Sequence, residues 1–138
     1  MRLRFGRPDL GRHHELLDLP VADSASPLTL TWLGVSTVLV DDGNCAVLTD
    51  GFFSRPGLLQ VTLGKLSPST ARIDATLARA GIERLSAVLP VHTHYDHALD
   101  TAVVAQRTGA VVVGGESAAN IARGQGLPED RIVVATPG

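Results

Sequence analysis

The stretch Ser86-Ala-Val-Leu-Pro-Val-His-Thr-His-Tyr-Asp-His97 decides how this chain is read: an apolar run of strand composition passes directly into four ligand-type side chains within six residues. The run Ser86 to Val91 reads as a strand and a helix is expected from about Ala98, so His92, His94, Asp96 and His97 fall at the carboxyl end of a strand. In α/β sheets that is the edge where ligands collect. In an extended segment His92 and His94, two residues apart, point the same way and can reach one metal ion. Asp96 and His97 then lie in the turn into the helix, where they can be aimed at a second ion. Two ions about 3.5–4 Å apart hold a shared hydroxide and clamp the oxygens of a substrate. A lone His is more often a satisfied core or surface residue than a ligand, but four ligand-type residues so close together reverse that expectation. Asp96 also separates the stretch from a His tract that binds metal adventitiously.

Working outward, Leu28-Thr-Leu-Thr-Trp-Leu-Gly34 alternates apolar and hydroxyl residues with period two, and Thr37–Val40 and Ala46–Thr49 continue the strand pattern. Asp41-Asp42-Gly43-Asn44 is turn chemistry, so the second and third strands are expected to pair antiparallel. After Asp50-Gly51 the sequence predicts a loop with apolar content, including the run Leu58 to Leu63. From Thr70 the pattern becomes helix and strand in alternation. Helices are expected at about Thr70–Ala80, Ala98–Thr108 and Glu116–Arg123, with strands at Ser86–Val91, Ala110–Val113 and Ile132–Ala135. Three strands followed by αβαβαβ argue for an α/β fold, with a mixed sheet that starts antiparallel and is then joined by crossover helices.

Composition bounds the rest. The 138 residues, 44% hydrophobic and 19% charged, suit one globular domain with a core of its own. Residues 1–27, rich in Arg, Pro, Asp and Ser, read as an N-terminal arm ahead of the domain at 28–138. A net charge of −2 gives no electrostatic footprint for nucleic acid. No apolar run reaches the length of a membrane span, and the N-terminus lacks the apolar core of a signal peptide. The single Cys45 excludes an intramolecular disulfide and suits a reducing compartment, so a soluble, cytoplasmic protein is expected.

The pattern His92-x-His94-x-Asp96-His97 resembles the signature of the metallo-β-lactamase-fold hydrolases. Trp32–Val40 and Leu48-Thr-Asp50-Gly51 resemble the opening segments of the branch that includes ascorbate-6-phosphate lactonases and the N-acyl phosphatidylethanolamine phospholipase D. The resemblance covers about Leu28 to Gly138. It implies an αββα sandwich holding up to two zinc ions, or iron or manganese, and hydrolysis of an ester, lactone or phosphodiester by metal-bound hydroxide. It implies that His92 and His94 bind the first metal and Asp96 and His97 the second, and that Asp96 steers the proton of the attacking water. Asp50 matches a residue that supports the ligands by hydrogen bonding. Val35 departs from the branch, which commonly has His there.

The family signature goes on to a further His, a bridging Asp and a final His, and no counterparts follow His97. His13 and His14, in the arm, are set aside as donors. The chain is therefore expected to supply the N-terminal half of the sandwich, with an apolar sheet face lacking its cover and weak or no activity alone. Expected partners are a small-molecule substrate, with a second copy or a complementing C-terminal half on the open face. The competing expectation is a non-catalytic metal-binding or interaction module that associates through that face.

Overall fold

Period-two alternation from Leu28 onward produces β1 (Thr29–Gly34), β2 (Thr37–Asp41) and β3 (Ala46–Thr49), joined by tight turns. The structure, a computed structural model, describes residues 28–136. The expected arm, with His13 and His14, lies outside the described residues. In the β2–β3 turn the Asp41 carboxylate accepts the Gly43 N–H, and Asp42 accepts those of Asn44 and Cys45, so both acids cap the turn. Beyond it come α1 (Leu58–Leu63), α2 (Thr70–Arg79), β4 (Ala87–Leu89), α3 (Tyr95–Ala98), α4 (Thr101–Thr108), β5 (Val111–Gly114), α5 (Glu116–Gly124) and β6 (Ile132–Val134).

The six strands form one sheet in sequence order. β1–β2 and β2–β3 are antiparallel, whereas β3–β4, β4–β5 and β5–β6 are parallel. This is the mixed α/β sheet with crossover helices expected from the pattern. Its register places Leu39, Leu48, Val88 and Val112 side by side on one face. All four are buried in one cluster with Ile73 and Leu77 of α2, Val104 and Ala105 of α4, and Ala122 of α5. Each large aliphatic side chain so buried contributes about 1.5–3 kcal/mol, so this face holds the fold together.

The other face carries Leu30, Val40, Val47, Ala87 and Val111 in one row, with Trp32, Leu89 and Val133 nearby. Leu30 and Trp32 are 69% and 67% exposed. The buried helical side chains named above all belong to the first face, so among the described residues no helix covers this second apolar surface.

Three local expectations change. The apolar run Leu58–Leu63, expected as loop, forms the short helix α1, which stands off the core with Leu58, Leu59 and Leu63 exposed. The helix expected over Ala98–Thr108 is two pieces, α3 and α4, meeting at Asp100. Asp100 does not cap α4, because its buried carboxylate instead accepts the N–H groups of Phe53 and Ser54 at 2.7 and 2.5 Å and the Ser54 hydroxyl at 2.6 Å. The strand expected over Ser86–Val91 is confined to Ala87–Leu89. Pro90, which has no N–H to donate, ends its ladder.

Candidate metal centre

The carboxyl ends of β3 and β4 meet at Asp50. Its N–H donates to the Leu89 carbonyl at 3.1 Å, and its Oδ1 accepts the Val91 N–H at 2.8 Å. Its own carbonyl accepts the Thr101 hydroxyl at 3.0 Å. The side chain is fully buried, yet its remaining oxygen, Oδ2, faces Nδ1 of His97 at 2.8 Å. A buried carboxylate is stable when every oxygen has a partner, and here each does.

That contact sets the state of the imidazole. An ionised carboxylate only accepts, so Nδ1 of His97 carries a proton, and in the neutral imidazole the lone pair is left on Nε2. Nε2 lies 3.7 Å from Oδ2 of Asp96. The ring of His92 is 3.7 Å from the ring of His97, centroid to centroid. One donor atom from each of His92, Asp96 and His97 lies within 4.8 Å of the others. Tetrahedral zinc ligands sit roughly 3.4 Å apart when the bonds are 2.0–2.2 Å long, so a small side-chain adjustment brings these three to one ion. Two imidazoles and a carboxylate suit zinc, iron or manganese.

The sequence grouped His92 with His94 and Asp96 with His97. The structure brings His92, Asp96 and His97 together and leaves His94 just outside them. His94 is exposed at the start of α3, and its ring stands edge-on to that of His92 with centroids 4.7 Å apart. Asp50 lies directly behind His97.

Ser36 was not singled out from the sequence. Its hydroxyl lies 3.1 Å from the same Nδ1 of His97, 61 residues away in the chain. Ser36, His97 and Asp50 share the residue types of a nucleophile triad, but both partners meet one ring nitrogen. A relay needs the serine on Nε2 and the acid on Nδ1, so these residues orient the ring instead. Thr49 holds Ser36 in place by donating to its carbonyl at 2.7 Å.

Among the described residues, three non-glycine residues have positive φ, namely Val35 (54°), Asp50 (53°) and Arg55 (42°). Asp50 touches His97, Val35 precedes Ser36, and the Arg55 guanidinium donates to the carbonyl of Leu33 on the same hairpin at 2.6 Å. Unfavourable backbone of this kind concentrates at functional sites, where the surrounding structure holds it. No periodicity or local motif marks such positions in a sequence.

The sequence profile of the metallo-β-lactamase superfamily matches residues 30–135. The chain belongs to that superfamily. Among its relatives, a UPF0173 metal-dependent hydrolase of Agrobacterium fabrum is 34% identical over 86 residues, covering 62% of this chain and 31% of the relative. Another, from Rhizobium leguminosarum, is 30% identical over 111 residues, covering 80% of this chain and 41% of the relative. The metallo hydrolase Igni18 of Ignicoccus hospitalis has the same fold, with a TM-score of 0.55 at 20% identity over 80% of this chain and 40% of that one. This superfamily member thus spans less than half the length of the relatives it matches. No helix among its described residues is long and apolar enough to cross a membrane.

Proposed function

We propose that this chain carries the metal-binding half of a metal-dependent hydrolase acting on an ester, lactone or phosphodiester of a small molecule, with zinc as its metal and up to two ions in the complete site. The observation that carries this reading is the locked imidazole of His97, whose Nε2 converges with His92 and Asp96 because buried Asp50 holds Nδ1. His92, Asp96 and His97 hold the first ion, with His94 next to them as a further ligand. A divalent ion there supplies Lewis acidity, lowering the pKa of water and stabilising charge that develops on a substrate oxygen.

The chain's own groups do the rest. Asp50 fixes the tautomer of His97 and, with Ser36, its direction, a supporting role that raises ligand basicity. Asp96 is 43% exposed, so solvent reaches its carboxylate, which can take a proton from a water approaching the cluster. The domain at 28–138 is one half of a two-part sandwich. The face bearing Leu30 and Trp32 is where the other half, on the same or a separate polypeptide, packs. The partial coverage of the relatives and the exposure of this face support that reading.

The same exposed face favours a second reading, a non-catalytic metal-binding module that self-associates through the sheet. Turnover of p-nitrophenyl acetate and bis(p-nitrophenyl) phosphate by the zinc-loaded chain, together with its mass in solution, separates the two. Weak zinc-dependent turnover lost in Asp96→Asn supports the hydrolase. A stable zinc-loaded dimer that gains no turnover when a complementing C-terminal half is added supports the module and overturns the hydrolase.

A further inference from the structure

The hairpin that delivers Ser36 to His97 also holds a cation, Arg55, that takes no part in the metal centre. β1 runs parallel to β3, so its carboxyl end, at Leu33 and Gly34, lies on the same edge of the sheet as Asp50 and the His cluster. Arg55 reaches this edge from the loop after β3. Its Nη2 donates to the Leu33 carbonyl at 2.6 Å, and its guanidinium packs beside Gly34. A Cβ at Gly34 would overlap that guanidinium, and the φ of 101° there is open to glycine alone. The chain from Leu33 to Ser36 spans at most roughly 11 Å, so the carbonyl that holds Arg55 and the hydroxyl that meets His97 belong to one short turn.

The bonding of Arg55 differs from that of the arginines with evident structural roles. Arg107 pairs with Asp74, and Arg123 with Glu116 and Glu129. Arg131 gives its donors to the carbonyls of Ala105 and Ala110, and Arg72 to those of Ser54 and Arg55. Arg55 is exposed and makes one bond to a neutral carbonyl, with no carboxylate partner among the described residues. Four of its five N–H donors remain open. A guanidinium held by one edge, with its fork turned to solvent and a strained backbone fixing its approach, is a preformed receptor for a planar or tetrahedral anion.

We propose that Arg55 binds an anionic group, a carboxylate or a phosphate, on the substrate and thereby selects negatively charged esters or lactones. This rests on reading the His92–Asp96–His97 cluster as the reaction centre. The hairpin then works as a ruler: Ser36 aligns the metal ligand at one point, and Arg55 fixes the substrate's charged end at another.

Trp32 is the sole tryptophan, and its indole donates to the Val35 carbonyl at 2.9 Å on this hairpin, so its fluorescence reports on the Arg55 environment. The chain, with and without zinc, is titrated with inorganic phosphate and separately with succinate. A saturable change is expected, weakened at least roughly tenfold in Arg55→Gln, partly kept in Arg55→Lys, and unaltered in Arg84→Gln, an exposed arginine ahead of β4 at the opposite edge of the sheet. The stronger of the two ligands names the group recognised. An equal response in wild type and Arg55→Gln, or no saturable response into the millimolar range, overturns the proposal. Zinc affinity measured in parallel should be unchanged in Arg55→Gln. Arg55-dependent anion binding in a chain that takes up no zinc would remove the hydrolase reading and leave the anion site standing, and the reverse pattern would remove the anion site alone.

Discussion

Replacing Asp50 by Asn tests the atom-level basis of the metal site with almost no change of shape. The wild-type carboxylate accepts twice, from the Val91 N–H at Oδ1 and from His97 Nδ1 at Oδ2. An amide can accept at one of these positions and must donate at the other. If its oxygen stays with Val91, its NH2 faces Nδ1, and His97 must place its proton on Nε2, where the metal binds. The expected loss is 10–100-fold in zinc affinity, or about 1.4–2.8 kcal/mol. If the amide flips, His97 is satisfied but two donors confront each other at Val91, which costs about 1–3 kcal/mol of folding stability. The backbone does not obscure the result, because Asn tolerates the φ of 53° at this position at least as well as Asp. Zinc competition against a chromophoric chelator, thermal unfolding, and the imidazole nitrogen shifts of His97 together distinguish the branches. Unchanged affinity, unchanged stability and an unchanged Nδ1–H tautomer would refute the reasoning.

Asp100→Ala strands the buried N–H groups of Phe53 and Ser54, which predicts a loss of about 3–5 kcal/mol and a fall in melting temperature of roughly 10 °C or more by circular dichroism. Val35→Gly relieves a β-branched residue at a φ of 54° and should raise the denaturant midpoint, with a net gain of about 1 kcal/mol after the entropy cost of glycine. Asp42 is held below its ordinary pKa of 3.8 by the Cys45 and Asn44 N–H groups, so its contribution is present above that value and lost as pH falls through the depressed one. The melting-temperature gap between wild type and Asp42→Ala should therefore be constant near neutrality and shrink below about pH 4.

Much of this molecule is written locally. The β2–β3 turn is legible because Asp41 and Asp42 bond to N–H groups two and three residues away. The ligand stretch is legible because His92, Asp96 and His97 are close in sequence and fall where a strand ends. Long-range contacts are different in kind. Ser36 meets His97 across 61 residues and Asp100 meets Ser54 across 46, and neither pair leaves a periodicity behind. Asp100 falls inside the helix expected over Ala98–Thr108, and only the packed loop at Phe53 and Ser54 shows where its carboxylate goes. Helix α1 fails for the opposite reason. Its side chains are exposed, so no amphipathic pattern distinguishes a short apolar helix from an apolar loop. His92 and His94, two residues apart along extended backbone, keep their ring centroids 4.7 Å apart, a proximity that their spacing alone suggests.

If His92, Asp96 and His97 form a metal site oriented by Asp50, zinc titration calorimetry with elemental analysis registers them as ligands. The chain and a His92→Ala/His97→Ala double variant are compared, with circular dichroism confirming that both are folded. Saturable zinc binding by the wild type, weakened at least tenfold in the double variant, is the predicted result. A folded wild-type chain that holds no zinc, or a double variant that binds it as tightly, would mean that these side chains are not a metal site.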